Sequence, residues 1–446
     1  MRNNYLFIKG YLAVVIVLIL SISKSYTQAL LSLEEAISIA VENNHQILIK
    51  RIDAEMSANN VNPALVGKRP MINLNASYEL GFSDTRTEIL PLGPSDAGAP
   101  INLDGISNDI IIAPELSLLL FDGKASTYRL EQLATISELS QLELRSTIEQ
   151  TLLEVSLLYL DIARQKSLRE IQLENIDLTG ARIERIKTDE RYGTASSLQE
   201  LQVEIDLRND SINLRKLDLA IANSKRQLNF LLGRDANQAF EVTTNFEYNG
   251  RMDLKNLETS LLQQSALIQL SQRNINVAEN EYDIAKAGFK PVVNGYANLS
   301  FAYLQDDANF LQSNRTFGPN VGVRVRYPIA DGGARKLKLN NAQLDIQKSK
   351  LEEERTKENL LTQLRNDFFE YQTALKELEI EQRNEPTFVK NLQQIEDSFR
   401  LGTATNLDVR TAQLNLNAIK NRINNYQYQI KTLELRLMYV AGTILQ

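Results

Sequence analysis

Arg191-Tyr192-Gly193-Thr194-Ala195-Ser196-Ser197-Leu198 returns as Arg400-Leu401-Gly402-Thr403-Ala404-Thr405-Asn406-Leu407, 209 positions later. Working outward, Asp122-Gly123 meets Asp331-Gly332 and Gly233 meets Gly442 at the same offset of 209. Further upstream, Gly67-Lys68-Arg69-Pro70 lines up with Gly288-Phe289-Lys290-Pro291 at an offset of 221. The fall from 221 to 209 places twelve extra residues in the first copy, between the Pro and Asp-Gly marks. One structural unit therefore occurs twice, and the fold has to be read as paired copies.

Composition narrows the class. The 446 residues contain no Cys, no Trp and one His, which excludes disulfides, thiolate metal sites and a lipid-modified N-terminal Cys. Residues 1–29 read as a secretory signal. Arg2 and Lys9 form a weakly basic stretch before a twelve-residue apolar run, Tyr11 to Ile22, and Thr27-Gln28-Ala29 offers a small-residue cleavage site. Twelve apolar residues fall short of the roughly 20 that a membrane-spanning helix needs, so an uncleaved anchor is the weaker reading. Loss of Arg2, Lys9 and Lys24 takes the formal charge from −7 to −10. Acidity without a basic cluster argues against nucleic acid as a partner.

Residues 71–83 alternate without a break. Ile72, Leu74, Ala76, Tyr78, Leu80 and Phe82 oppose Asn73, Asn75, Ser77, Glu79, Gly81 and Ser83, the pattern of a strand with one apolar and one polar face. Val321, Val323, Val325 and Tyr327 likewise oppose Gly322, Arg324 and Arg326, and two arginines on one face need water or carboxylates there. Partner strands are predicted at 109–121 (Ile112, Leu116, Leu118) and 292–304 (Ala297, Leu299, Phe301). Each copy thus supplies a hairpin, with tips over 84–108 and 306–315, and a short further strand is predicted at Phe240–Phe246. A soluble sandwich would need more strands. Transmembrane strands of about 9–11 residues fit. Four cannot close a barrel, whereas three chains giving twelve would.

The remaining segments are helical and long. From Gly123 to Arg191, and from Gly332 to Arg400, the strong breaker is Pro386, with Gly180 a mild one. About 67 residues at roughly 1.5 Å each would span on the order of 100 Å, so such helices must pack laterally. Leu361, Leu364, Phe368, Tyr371, Leu375 and Leu378 follow a 3,4 spacing that Val389, Leu392 and Phe399 resume. Leu152, Val155, Tyr159 and Ile162 start the same seam in the first copy, and Leu153, Leu157 and Leu160 add a second flank. Pro386 should kink or open its helix. At the turns, Gly193 and Gly402 suit the left-handed residue after a helix, and Arg191 and Arg400 suit its last turn. Ser196 with Gln199, and Thr405 with Asp408, have the spacing of capping boxes.

The order of signal, short helix, hairpin, long helix, glycine turn and returning helix, all repeated, resembles the TolC family of outer-membrane efflux and secretion channels. The motifs are Leu33-Glu34-Glu35-Ala36 to Asn43-Asn44, Phe121-Asp122-Gly123, Pro328-Ile329-Ala330-Asp331-Gly332-Gly333, and Ser398-Phe399-Arg400-Leu401-Gly402 to Leu407-Asp408-Val409. His45 stands where relatives often carry Pro; as the single His it is a poor metal-site candidate and reads as a surface or packing residue.

The resemblance implies a mainly α protein with a β-barrel part. A homotrimer would carry a twelve-stranded barrel in outer-membrane lipid and a helical barrel in the periplasm. Residues 30–233 and 253–446 would be the repeats, and 234–252 an equatorial connector. The implied role is a passive exit duct, not an enzyme, completed by a periplasmic adaptor and a proton- or ATP-driven inner-membrane transporter. No cofactor or metal is expected. Lipid-facing positions would be Ile72, Leu74, Tyr78, Leu116, Leu118, Val323 and Val325. Adaptor contact is expected at Gly193, Thr194, Ala195, Leu198, Gly402, Thr403, Ala404 and Leu407. For Asp408, with Gln199 as its counterpart, a lumen constriction and a plain helix cap both stand. A periplasmic coiled-coil scaffold is the alternative, but it has no use for a lipid-facing strand side. An enzyme finds no support: Gly123-Lys124 lacks the upstream half of a phosphate loop.

Overall fold

A computed structural model describes residues 29–87, 101–192, 196–248, 251–307 and 312–445. Residues 1–28 of the expected signal segment and 88–100 of the expected hairpin tip lie outside these residues, and Ala29 falls in the first strand. In chain order the elements are β1 (Ala29–Leu31), α1 (Leu33–Asn43), α2 (His45–Asn59), β2 (Met71–Thr87), β3 (Ile101–Phe121), α3 (Ala125–Arg191), α4 (Ser197–Leu231) and β4 (Phe240–Val242). There follow α5 (Leu254–Gln264), α6 (Ala266–Ala287), β5 (Val292–Asp306), β6 (Ser313–Arg326), α7 (Ala334–Arg400) and α8 (Asn406–Val440). The duplication is visible in the lengths: α3 and α7 each have 67 residues, α4 and α8 each 35. The chain divides into two compact units. A strand-bearing unit holds residues 50–144 and 266–357, and a helical unit holds the rest.

In the strand-bearing unit the four long strands form one antiparallel sheet in the order β2-β3-β5-β6. Pairing runs beyond the alternating stretches, to Thr87↔Ile101 and Gln305↔Ser313, so both hairpin tips are shorter than the sequence pattern predicts. Ladder hydrogen bonds do not require an apolar face, which is why alternation alone underestimates strand length. Strand passes to helix at two matching joints. Asp122 accepts from the Ser126 N–H at 2.6 Å and Asp331 from the Arg335 N–H at 3.1 Å, each carboxylate satisfying one of the unpaired donors of the first turn.

The core of the helical unit gathers Val155, Tyr159, Leu160 and Ile162 of α3, Ile221 and Leu228 of α4, Phe240 and Val242 of β4, and Tyr428 of α8. Of the strand predicted at Phe240–Phe246, residues 240–242 form β4, which pairs parallel with β1. Phe246 leaves the strand to sit edge-on between Tyr159 and Tyr428. Tyr159 is fully buried, and its hydroxyl donates to the Leu31 carbonyl at 2.6 Å, which satisfies the polar end of an otherwise apolar side chain.

The seam of α7 follows Leu364, Phe368, Tyr371, Ala374, Leu378, Phe388, Leu392, Ile395 and Phe399. Val389 is 45% exposed; Phe388 takes its expected place because the register runs on unbroken through 381 and 385. Those two seam positions carry Glu, and Glu381 is held by Arg422 of α8 at 2.6 Å. The helix continues through Pro386, so loss of one N–H does not end it.

Candidate functional site: helix turns and strand face

The turn after α7 is built from its own backbone. The Gly402 N–H donates to Phe399 O at 3.1 Å and the Thr403 N–H to Ser398 O at 2.9 Å. This double closure needs a left-handed residue between, and Gly402 has φ +77°. Thr405 then opens α8. Its N–H donates to Asp408 Oδ2 at 2.8 Å while the Asp408 N–H donates to Thr405 Oγ1 at 3.3 Å, a reciprocal capping box. Hydrogen bonds from the Thr405 hydroxyl, then from its backbone N–H, hold the exposed Asp408 carboxyl below the usual range. In the first copy Gln199 accepts from the Ser196 N–H at 3.4 Å. Leu401 and Leu407 are largely exposed, as are Tyr192 and Leu198. Gly193, Thr194 and Ala195 lie outside the described residues.

Behind these turns the structure adds residues that the sequence patterns do not single out. Arg410 of α8 makes a two-point contact with Asp210 of α4, at 2.9 and 3.0 Å. Arg182 of α3 donates to Asp206 of α4 at 2.8 Å, and Arg410 Nε lies 3.5 Å from the same carboxylate. Thr179 donates to Asp210 at 3.2 Å. Burial works against charge on Arg410, but the Asp210 hydrogen bond and the charges of Asp210 and Asp206 outweigh it and raise its pKa. Burial is the larger effect on Arg182 and lowers it. One signal was available: the 209 offset sets Arg410 against Leu201 and Asp210 against Ile419.

In the strand-bearing unit the register sorts the side chains. Ile72 pairs with Leu116, Leu116 with Ala297, and Ala297 with Val321. Leu118 pairs with Gly295 and Gly295 with Val323, two residues along. Since side chains alternate, Ile72, Leu74, Tyr78, Leu116, Leu118, Val323 and Val325 share one face. Ile72, Leu74, Tyr78, Val323 and Val325 are each more than 60% exposed. The opposite face carries Asn73, Asn75, Ser77, Glu79, Glu115, Asn298, Asn320 and Arg324. Among the described residues Arg324 meets no carboxylate in an ion pair; its guanidinium stacks on Tyr296, 5.2 Å from the ring centroid. Gly322 makes room for that ring, since a Cβ there would meet Tyr296 Cζ at 2.6 Å.

A four-stranded sheet with one polar face and one exposed apolar face, joined in one chain to a duplicated helical hairpin, has known counterparts. The outer membrane efflux protein family matches residues 257–443. The outer membrane protein VceC of Vibrio cholerae superimposes with a TM-score of 0.74 over 92% of this chain and 96% of that one, at 16% identity. The fold is that of the TolC-like outer-membrane channels. The CmeC outer membrane channel of Campylobacter jejuni agrees, with a TM-score of 0.74 over 92% of this chain and 86% of its own, at 15% identity. In sequence, the proteases secretion protein PrtF of Dickeya chrysanthemi is 22% identical over 180 residues, 40% of this chain. The match spans 38% of that relative's length.

Proposed function

We propose that the chain is an outer-membrane exit duct for export, three copies of which close a twelve-stranded barrel. The observation that carries this reading is the sheet. Its apolar face is exposed, and among the described residues β2 and β6 each leave one edge unpaired. Exposed apolar strands with open edges aggregate in water, whereas lipid and a neighbouring copy would cover both. Along α7, Leu337, Leu344 and Leu351 stand exposed at heptad spacing. Leu344, Lys348, Leu351 and Arg355 border a shallow hollow on that helix, the kind of surface that receives a knob from another helix.

On this reading residues 30–233 and 253–446 are the working repeats and 234–252 their connector. The helical unit lies in the periplasm. Leu198, Gly402, Thr403, Ala404 and Leu407, with 193–195, form the surface offered to a periplasmic adaptor, which an inner-membrane transporter energises. Asp408 and Gln199 stand nearest a constriction of the lumen. The chain works as a passive conduit without chemistry of its own.

Membrane fractionation and light scattering test the reading together. The wild type should be recovered in the outer membrane as a detergent-solubilised trimer. Leu74→Arg should block insertion, since one lipid-facing arginine costs about 2–4 kcal/mol near the bilayer centre, and Asn75→Arg should be tolerated. A soluble monomer, or equal responses at 74 and 75, would sink the proposal.

A further inference from the structure

Within the helical unit a cavity of about 260 Å³ opens between α3, α7 and α8, close behind the Gly402 turn. Its walls combine two chemistries. Arg182, Arg185 and Arg400 supply three cations against one carboxylate, Glu396, and Leu178, Phe399 and Val409 supply apolar surface. Two wall residues are buried and incompletely bonded. The Arg182 side chain is only 4% exposed, and while its Nη2 binds Asp206, its Nε and Nη1 have no partner among the described residues. Gln413 is 2% exposed, and its amide oxygen is also unpartnered. The amide can be turned to present its N–H₂ instead.

Buried donors without acceptors are costly, and a guanidinium with unpaired N–H groups favours an oxyanion as a hydrogen-bond acceptor. Arg185 and Arg400 reinforce this, because their own ion pairs, with Asp189 at 3.7 Å and Asp397 at 3.5 Å, are long. Arg185 also lies over the Phe399 ring, 5.6 Å from its centroid. A ligand that fits has a carboxylate or sulfonate directed at the arginines and a compact apolar body against Phe399, Leu178 and Val409. A bare inorganic anion would leave the apolar wall uncovered, and an apolar molecule would leave the donors unpaired.

We infer that this cavity is a binding site for a small organic anion, with Arg182, Arg185 and Gln413 receiving the charged group. Its place beside the turn makes the bound anion a candidate cargo or a ligand that stiffens the contact of α3, α7 and α8.

The test uses the full chain in amphipol, with 2-naphthoate as probe and 2-naphthalenemethanol as its uncharged counterpart, followed by ligand-observed NMR titration. Naphthoate should saturate one site per chain, and the alcohol should not compete. Arg185→Gln should weaken naphthoate at least about tenfold, the scale of one lost charge-assisted hydrogen bond. Arg383→Gln, which removes an exposed arginine from another part of α7, should leave it unchanged. Gln413→Leu should weaken binding while leaving the Tm of the unliganded protein unchanged or higher, because it removes an unpaired buried group. Equal binding of the alcohol, equal binding by Arg185→Gln, no saturable site at all, or a clear fall in Tm for Gln413→Leu would each overturn the inference.

Discussion

The two repeats share a skeleton and differ in what they hang on it. Helices of equal length end in turns closed by the same pair of hydrogen bonds, at Gly233 in the first copy and Gly442 in the second. Both glycines have positive φ, +65° and +74°, and both are wedged against backbone: Gly233 against Asn43, Gly442 against Gln264 and Ser265. Those contacts fall where α1 gives way to α2 and where α5 gives way to α6, equivalent joints of the two copies. The charged contacts at Asp210 and Arg410 have no such symmetry, since their counterparts are Ile419 and Leu201. Agreement between copies therefore marks what the architecture requires. Disagreement marks what one copy has taken on alone.

The largest effect should come from breaking the asymmetry. Asp210→Ile gives the first copy the residue of the second but strands Arg410, only 13% exposed, without its main partner. Removing one member of a buried pair costs about 3–5 kcal/mol, whereas replacing both by apolar groups is often close to neutral. Chemical unfolding of the helical unit should show a loss of that size for Asp210→Ile. The double change Asp210→Ile, Arg410→Leu should recover most of it. If the double variant is as weak as the single, the contact is more than a stabilising pair.

Next come the symmetric glycines. Gly233→Ala and Gly442→Ala each drive a Cβ into backbone and place a side chain at positive φ. A destabilisation of about 2–4 kcal/mol is expected for each, combining overpacking and left-handed strain. Circular dichroism melts should find the two variants alike. A large difference would show that the copies are not structurally equivalent at this joint. Gly402 separates the two costs. It has φ +77°, but a Cβ there would meet nothing within 4 Å. Gly402→Ala should therefore cost only about 1–2 kcal/mol, the strain alone. Gly402→Leu should leave the fold intact yet abolish export if an adaptor approaches this turn. Normal export by that variant would count against docking there.

Much of this was legible in the sequence because the duplication prints each structural requirement twice. The glycine turns, the Asp-Gly joints and the alternating strands need no neighbour to be recognised. Faces of β2 and β6 followed from period two, and the register placed every predicted lipid-facing residue on one side. The charged contact was less accessible. Asp206, Asp210, Arg182 and Arg410 lie on three helices, and any one of them alone reads as a solvated residue of a polar helix face. Val389 shows the other failure. Glu381 and Glu385 leave the seam without apolar marks, so spacing alone allows Val389 to resume it, whereas Phe388 is the packed residue and Glu381 is paired with Arg422.

The smallest expected effect concerns the pair in which the copies differ by one charge, Gln199 and Asp408. Thr405 holds the Asp408 carboxyl below its ordinary value through a hydroxyl and an N–H that prefer the anion. A group whose folded pKa is depressed stabilises at pH above its unfolded pKa and loses that contribution as pH falls through the folded one. The Tm difference between wild type and Asp408→Asn should therefore be small and constant near neutrality, then shrink only in the acid range below about pH 4. Gln199→Ala should show no such pH dependence, because its amide does not titrate. Convergence of three Asp408 side chains on a shared axis would reverse the sign, since like charges raise a carboxyl pKa. NMR titration of the assembled protein decides between these. A carboxyl that titrates below the ordinary aspartate range is a helix cap, and one that titrates above it is crowded by its copies and lines a constriction.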